Sequence, residues 1–304
     1  MRTKPFRAPV LTLAALLTAA HAPAQEIRYS YDSAGRLVRA NYGSGRAIGY
    51  TYTPAGDLTR RAFETGASVS GFVSVSSASF AAARPLAPGI IASGFGAGLA
   101  TGIAANTQAT LPVSLLGTSV AITDSAGVVH QASLFAVSPT QINYLVPVSA
   151  SLGAARIAVT SGTGATITGA AEIARTSPGL YTANLQGSGV ASAFSLTVDA
   201  SGAQSQSLVF DPRTLAPAPI EPRTGEQVYL LLFGTGIRGY RQTVTATLGG
   251  VSIPVLGAVA QGQYEGLDQV NIGPLPASFA PRGELPLVLS VDGQAANTVT
   301  VSVR

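Results

Sequence analysis

Apolar and polar residues alternate in short runs along most of the chain. Runs such as "RIAVT" (156–160) and "TVTVSV" (298–303) place an apolar side chain at every second position, the period of a strand with one buried face. Clusters of Gly, Pro, Asn and Ser separate these runs, and no stretch has a convincing 3.6-residue helical period. The pattern therefore predicts an all-β protein.

A short repeat occurs near the N-terminus. Residues 29–37 read "YSYDSAGRL" and residues 50–58 read "YTYTPAGDL", so both copies contain Y-x-Y-x-x-x-G-x-L. Alternating tyrosines, a turn sequence ending in glycine and a second alternating run are typical of a β-hairpin. The repeat predicts four short strands between Arg28 and Phe63.

The first copy resembles the YD repeat of Rhs-type proteins, whose consensus is Y-x-Y-D-x-x-G-R-L. The second copy departs from it, because Thr53 replaces the Asp and Asp57 follows the glycine. In that family many copies wind into a β-shell around a cargo, but two copies are too few to close a shell. The resemblance thus implies a small strand-rich unit over residues 25–66 and does not transfer the family's encapsulating role.

A longer repeat fills the remainder of the chain. "LAPGIIASGFGAGLA" (86–100) is similar to "RTGEQVYLLLFGTGIRG" (223–239), and "QINYLVP" (141–147) is similar to "QVNIGPLP" (269–276). Two copies of a strand-rich domain predict two tandem Ig-like β-sandwiches, over residues 67–174 and 175–304. With the N-terminal antiparallel β-hairpin or meander unit, these complete the expected architecture.

The same region resembles the Solibacter-type C-terminal domain found at the ends of many exported bacterial proteins. "LFAVSPTQINYLVP" (134–147) and "TSPGLYT" (176–182) carry the resemblance together with the repeated motifs. The tandem unit is also similar to Ig-like IPT/TIG modules. The resemblance implies an accessory domain outside the cytoplasm and supplies no catalytic residues.

The run "VYLLLFGTGIRGY" contains the G-x-G-x-x-G spelling of a dinucleotide-binding turn at Gly234, Gly236 and Gly239. Such a turn needs a helix that begins at the glycines and an acid about 20 residues later. Strand-like alternation follows instead, and in the first copy Thr101 stands at the third glycine position. The glycines therefore predict a tight turn or close backbone approach, and no nucleotide cofactor is expected.

Residues 1–24 have the features of a signal peptide. A basic segment, "MRTKPFR", precedes an apolar segment and an A-x-A signal, which predicts cleavage between Ala24 and Gln25. An alternative cut after Ala22 would place Pro23 at a position that processing tolerates badly. The protein is thus expected outside the cell or at its surface, with the periplasm as the alternative.

Removal of this segment also changes the charge. It contains three of the 18 basic residues and none of the 14 acidic ones, so the net charge falls from +4 to +1. No general basic footprint for nucleic acid remains. Residues 85–123 carry no charge and include G-x-x-x-G spacing, but their several glycines and Pro88 disfavour a helix, so no stable membrane span is expected after signal removal.

Few residues suggest chemistry. The chain has no cysteine, which excludes disulfides and thiol catalysis, and His130 is the one histidine after residue 24. We expect His130 to be a solvent-exposed strand or turn residue, because no nucleophile motif accompanies it. The scattered acids Asp124, Asp199, Asp211 and Asp292 lie beside Gly, Ser or Pro, where Asx turns are expected. No catalytic or metal-binding residues and no enzyme activity are predicted.

Two sets of polar and aromatic residues remain as binding candidates. Tyr29, Tyr31, Tyr50 and Tyr52 could stack on a ligand, although cross-strand Tyr pairs that hold the hairpins together are the favoured interpretation. The pairs Gln141/Asn143 and Gln269/Asn271 recur in both copies. They are expected to bond backbone groups at strand ends, with a duplicated binding site as the alternative.

These observations favour an exported, non-catalytic protein that acts in adhesion, surface display or protein binding. Recognition would use exposed loops and strand edges, including edges of the N-terminal sheet. The first alternative is a carbohydrate-binding accessory module, and the second is a glycoside hydrolase with dispersed carboxylates. The expected partner is thus a surface protein or a polysaccharide.

Overall fold

A computed structural model of the protein describes residues 28–279 and 282–304, apart from 33, 42–45, 54–55 and 66–70. The predicted cleavage site at Ala24 and Gln25 lies outside the described residues. The chain divides into two compact units, Met1–Ser70 and Gly71–Arg304.

The first unit contains one four-stranded antiparallel sheet with the order β1-β2-β3-β4. Its strands are β1 (Arg28–Tyr31), β2 (Leu37–Asn41), β3 (Arg46–Tyr52) and β4 (Leu58–Thr65). Each copy of the short repeat contributes a hairpin turn, which confirms the predicted meander.

Asp32 and Arg36 of the first repeat copy hold its turn together. The Asp32 carboxylate accepts hydrogen bonds from the backbone N–H groups of Ala34 and Arg36, at 3.0 and 2.9 Å, and from Arg36 Nε at 2.7 Å. In the second copy the Thr53 hydroxyl oxygen accepts the Asp57 N–H at 3.1 Å. Thr53 can therefore take the place that Asp32 has in the first copy, because its side chain makes the equivalent turn contact.

The second unit begins with two sheets that pack face to face. Sheet I has the order β5-β6-β11-β10-β7 and sheet II has the order β13-β12-β8-β9. Their strands are β5 (Val73–Ser76), β6 (Ile91–Phe95), β7 (Ala104–Ala105), β8 (Ser119–Thr123), β9 (Val129–Gln131), β10 (Ser133–Val137), β11 (Gln141–Leu145), β12 (Gly153–Thr160) and β13 (Thr166–Ile173). Side chains from both sheets, such as Tyr144, Leu134, Ile122 and Ile157, form one buried core. This is the first sandwich.

The second sandwich is built in the same way from sheets III and IV. Sheet III has the order β16-β15-β17-β21-β20, with β14 also paired to β17, and sheet IV has the order β19-β18-β22-β23, with β24 also paired to β22. Their strands are β14 (Gly179–Leu180), β15 (Ala193–Val198), β16 (Gln204–Leu208), β17 (Gln227–Thr235), β18 (Val244–Leu248), β19 (Val251–Ile253), β20 (Val255–Ala260), β21 (Asp268–Ile272), β22 (Gly283–Val291), β23 (Gln294–Ala295) and β24 (Val299–Val303). A 3₁₀ turn, Ala277–Phe279, precedes β22.

In the core of the second sandwich, side chains alternate between buried and outward-facing positions along each strand. Leu230 and Leu232 of β17 and Val270 of β21 meet Leu287 and Leu289 of β22, and all five are at most 1% exposed. The all-β fold class, with two sandwiches and a small antiparallel sheet, is therefore confirmed. Every second residue is buried because strand side chains alternate between the two faces of a sheet.

The uncharged stretch 86–105 forms strands β6 and β7 and the turns around them rather than a long helix. Across the part of the chain that the structure describes, no helix is long and apolar enough to cross a membrane.

The glycines of the G-x-G-x-x-G run permit close backbone packing. A Cβ on Gly234, Gly236 or Gly239 would collide with a backbone carbonyl oxygen of the segment 175–179, which joins the two sandwiches. Gly236 also has a φ of 73°, in the left-handed region that favours glycine. The backbone of the run therefore packs closely against this segment, in agreement with the expected close backbone approach.

Candidate functional site

The outer face of sheet III is a partly exposed surface of aromatic, aliphatic and amide side chains. Along β17, Val228, Leu230 and Leu232 enter the core, so the alternating residues point to the opposite face. We call this surface the amide–aromatic face, and it comprises Phe194 and Leu196 of β15, Tyr229, Leu231 and Phe233 of β17, and Gln269 and Asn271 of β21.

The aromatic rings of this face are held in place by neighbouring side chains. Phe194 and Phe233 pack edge to face, with ring centroids 6.0 Å apart and an interplanar angle of 87°. The Tyr229 hydroxyl donates a hydrogen bond to Gln227 Oε1 at 2.8 Å. Phe233 and Tyr229 remain half-buried, so part of each ring faces solvent.

Two amides lie beside these rings. Gln269 is the cross-strand neighbour of Phe233, and Asn271 is that of Leu231. Gln269 Nε2 donates to Asn271 Oδ1 at 2.8 Å. Gln269 Oε1 and Asn271 Nδ2 have no hydrogen-bond partner in the described part of the chain. The pair therefore presents one acceptor and one donor side by side at the surface.

The corresponding pair in the first sandwich is closed. Gln141 Nε2 donates to Asn143 Oδ1 at 2.9 Å, and the Ser93 hydroxyl donates to the same oxygen at 2.9 Å. Asn143 is only 1% exposed, and within the described residues its Nδ2 is buried without a partner. The prediction that these pairs bond backbone groups is wrong. In both copies the Gln and Asn side chains, two residues apart on the same strand, form a hydrogen bond with each other.

The amide–aromatic face is uncharged. Among the strands β16, β15, β17, β21 and β20, the single charged residue is Asp268, which is fully buried. Asp199 and Glu226 lie beyond the strand ends, where they border an open depression. The Asp199 carboxylate is already occupied by its own turn, since Oδ1 accepts the N–H groups of Ser201 and Ala203.

The four predicted tyrosines lie on two strands that are not neighbours. Tyr29 and Tyr31 are in β1, Tyr50 and Tyr52 are in β3, and β2 separates these strands. The expected direct cross-strand Tyr pairs are therefore absent from the described strands. The prediction of Tyr pairs was wrong because, in consecutive hairpins, one strand lies between the equivalent strands of the two copies.

Tyr52 has a structural contact that the sequence did not reveal. Its hydroxyl donates to the Leu37 carbonyl oxygen at 2.8 Å, and the Arg36 guanidinium lies over its ring, 5.1 Å from the centroid. The tyrosine of the second copy thus contacts the arginine of the first through a cation–π interaction.

The predicted Asx turns are present at three of the four acids. Asp124, Asp199 and Asp211 each accept the backbone N–H of the residue two positions later. Asp292 instead accepts the N–H groups of residues 241–243, which belong to a distant turn.

His130 is not solvent-exposed as expected. Its side chain is 14% exposed and bridges Asp124 and Ser149, which come from two different turns. The sequence could not reveal this arrangement, because the fold alone brings the second turn to the histidine.

The sequence matches no protein-family model and no curated protein. Among solved structures, the chain is similar to Bacteroides ovatus SGBP-B of the mixed-linkage glucan utilization locus, which was solved in complex with a mixed-linkage heptasaccharide. The identity is 13% and the TM-score is 0.30, and the match covers 92% of this chain and 59% of that one. Because a TM-score this low does not establish a common fold, the function has to be inferred from the residues of this chain.

Proposed function

We propose that this chain is an exported polysaccharide-binding protein and that the amide–aromatic face binds the sugar chain. The open Gln269/Asn271 pair beside Phe233 is the observation that supports this proposal. In the Gln141/Asn143 pair the fold buries the asparagine amide, so the partial exposure of Asn271 in the second sandwich points to a ligand.

The chemistry of the face fits a sugar. A pyranose ring has an apolar C–H face, which packs on an aromatic ring, and hydroxyl groups at its edge. Gln269 Oε1 accepts from one hydroxyl and Asn271 Nδ2 donates to its neighbour, while the ring packs on Phe233. The absence of charge along the described strands of this face favours a neutral polysaccharide.

The shape of the face favours a polymer over a small molecule. Small-molecule sites are concave and enclose most of their ligand. A sheet face is open at both ends and follows several strands, so a sugar chain can lie across it and extend beyond it. The affinity would then come from several weak subsites along the chain.

Affinity electrophoresis and calorimetry with soluble β-glucan, xylan, mannan and α-glucan test this proposal, with polygalacturonate as an acidic comparison. We expect one neutral polysaccharide to bind. We expect Asn271→Ala or Gln269→Ala to weaken its binding about tenfold, the effect of losing one to two hydrogen bonds. Gln141→Ala is the matched control, since it alters the same motif in the closed copy and should leave binding unchanged.

Two results would overturn the proposal. The first is that none of the polysaccharides binds to protein shown to be folded by circular dichroism. The second is that Asn271→Ala binds as well as the unchanged protein. If Tyr29→Ala or Tyr52→Ala abolished binding instead, the sugar site would belong to the N-terminal sheet.

Protein binding at a strand edge is the second candidate function. Strand β20 is the outermost strand of sheet III, and its Leu256 and Val259 side chains are 59% and 56% exposed. An apolar edge strand can pair with an extended segment of another protein. Leu256→Lys should block such pairing, and Val259 is left unchanged because it is the cross-strand neighbour of Gln269. Loss of cell-surface attachment in this variant, with polysaccharide binding retained, would favour this function.

A further inference from the structure

Three side chains of the first sandwich form one hydrogen-bonded chain. Asp124 follows strand β8, His130 lies in β9, and Ser149 lies in the turn after β11. Asp124 Oδ2 is 2.9 Å from His130 Nε2, and His130 Nδ1 is 3.2 Å from Ser149 Oγ. An acid, an imidazole and a serine hydroxyl in this order are the groups of a catalytic triad.

The hydrogen bonds around Asp124 fix its charge. Its carboxylate accepts the backbone N–H groups of Ser151, Val128 and Ala126, at 2.9, 3.0 and 3.0 Å. The Ser151 N–H, and after it the His130 side chain, hold the pKa of Asp124 well below its usual range. Asp124 is therefore ionised at neutral pH and can only accept hydrogen bonds.

This charge determines the direction of the remaining hydrogen bonds. Because Asp124 accepts, His130 Nε2 must carry a proton and donate it. In the neutral imidazole Nδ1 then holds a lone pair, so the Ser149 hydroxyl must donate to Nδ1. Beside the neutral imidazole, Ser149 is thus hydrogen-bonded to the lone pair that can remove its proton.

The three groups differ in solvent exposure, from the buried acid to the exposed serine. The Asp124 side chain is 1% exposed and that of His130 is 14% exposed, whereas Ser149 is exposed. Ser149 is a central residue of a turn closed by the hydrogen bond from Ala150 N–H to the Pro147 carbonyl oxygen. A nucleophile at an exposed turn can reach a substrate, while the buried acid keeps the imidazole oriented.

The surroundings of Ser149 indicate the substrate class. Val148 and Val129 adjoin the serine and the histidine in sequence and are 74% and 60% exposed, and Leu152 in the same connection is 43% exposed. Within the described residues, the Val148 and Ser149 N–H groups have no acceptor, so they are free to bond an oxyanion. An open apolar rim suits a short acyl group better than a long or charged one.

We propose that Ser149 is an activated nucleophile that hydrolyses short-chain acyl esters. Ser149 Oγ bonds to the ester carbonyl carbon while its proton passes to His130 Nδ1. The bond from that carbon to the alkoxy oxygen breaks, and the alcohol leaves with this proton. Water then attacks the acyl-serine, gives a proton to His130, and releases the acid as Ser149 recovers the proton. This activity is independent of the amide–aromatic face.

A fluorophosphonate probe tests the nucleophile directly, because a serine Oγ–P bond forms as fluoride leaves. We expect peptide mapping of the labelled mature protein to place the probe on Ser149. We expect His130→Gln to slow labelling about 100-fold, the contribution of a general base. Hydrolysis of p-nitrophenyl acetate should follow the same pattern.

Ser125→Ala is the matched control. Ser125 is an exposed serine next to Asp124, but its hydroxyl donates to the Leu152 carbonyl oxygen rather than to a base, so labelling should be unchanged. Equal labelling of the native and urea-denatured chains would overturn the proposal. Labelling that persists in folded His130→Gln, or ester hydrolysis that persists in Ser149→Ala, would also overturn it.

Discussion

The hydroxyl oxygen of Tyr181, just after β14, lies 2.6 Å from that of Ser77, just after β5, and both residues are buried. This contact joins the second sandwich to the first. The Thr235 hydroxyl oxygen nearby accepts the Ile91 N–H at 3.0 Å. Buried hydrogen bonds of this kind orient the two sandwiches, since an unpaired buried polar group is costly.

Tyr181→Phe should therefore weaken the junction. The substitution leaves the Ser77 hydroxyl buried without this partner, and we expect the free energy of unfolding to fall by about 1–2 kcal/mol. Urea denaturation followed by circular dichroism measures the change. Tyr144→Phe is the comparison, because Tyr144 bonds Ser74 at 2.7 Å within the first sandwich. An unchanged midpoint for Tyr181→Phe would show that the Ser77 contact contributes nothing to stability.

Substitution of Gly236 and of its counterpart in the first copy, Gly98, distinguishes two reasons for a glycine, which are a left-handed backbone and close packing. Their φ angles are 73° and 71°, but a Cβ on Gly236 would collide with the Ser177 carbonyl oxygen, whereas Gly98 faces open space. Gly98→Ala should cost about 1–2 kcal/mol from the left-handed backbone alone. Gly236→Ala should cost about 1–3 kcal/mol more from the clash. Equal losses in urea denaturation would refute the close-packing account.

The fold was readable from the sequence where local physics decides it. Alternation in "TVTVSV" predicted a strand with one buried face, and Val299, Val301 and Val303 of β24 are buried. The internal repeat predicted a duplicated sandwich. The glycines of the G-x-G-x-x-G run were correctly assigned to close packing, because strand-like residues follow them. These features depend on residues that are close together in the sequence, so the sequence itself shows the pattern.

The candidate sites were less readable, because they depend on exposure and on distant contacts. Gln141 and Gln269 occupy the same repeat position, yet only the second belongs to an open pair. Nothing in the sequence separates the two, since burial of Asn143 depends on what covers that face in the folded protein. His130 likewise acquires Ser149 as a neighbour only when the two turns meet.

We predict that the protein is exported and that its first residue after cleavage is Gln25. Signal peptidase prefers small residues at the A-x-A signal that ends at Ala24, and Pro23 disfavours the earlier cut. N-terminal sequencing and the intact mass of protein recovered from the culture medium, the cell surface and the periplasm measure the cleavage site. We expect Ala24→Leu to block processing at this position. Protein that retains Met1 and stays in the cytoplasm would contradict the export prediction.

Stability is predicted to fall in acid, in part through Asp292. Its carboxylate accepts the N–H groups of Arg241, Gln242 and Thr243, at 2.9, 2.8 and 3.0 Å, and the Arg241 N–H contributes most to lowering its pKa. The unfolded chain, with an Asp pKa of about 3.9, therefore takes up the proton first as the pH falls. The stabilising contribution of Asp292 is full above about pH 4 and is lost as the pH falls through the lower folded-state pKa.

The urea midpoint should thus be nearly constant from about pH 7 to pH 5 and decline below about pH 4. Asp292→Asn should lower the midpoint at neutral pH and flatten the decline, because an amide keeps one acceptor oxygen but cannot titrate. Glu284→Gln changes an exposed acid on β22 for which no hydrogen bond occurs among the described residues, and should reproduce the unchanged curve. If Asp292→Asn and the unchanged protein lost stability in parallel on acidification, the carboxylate of Asp292 would not be a source of the acid sensitivity.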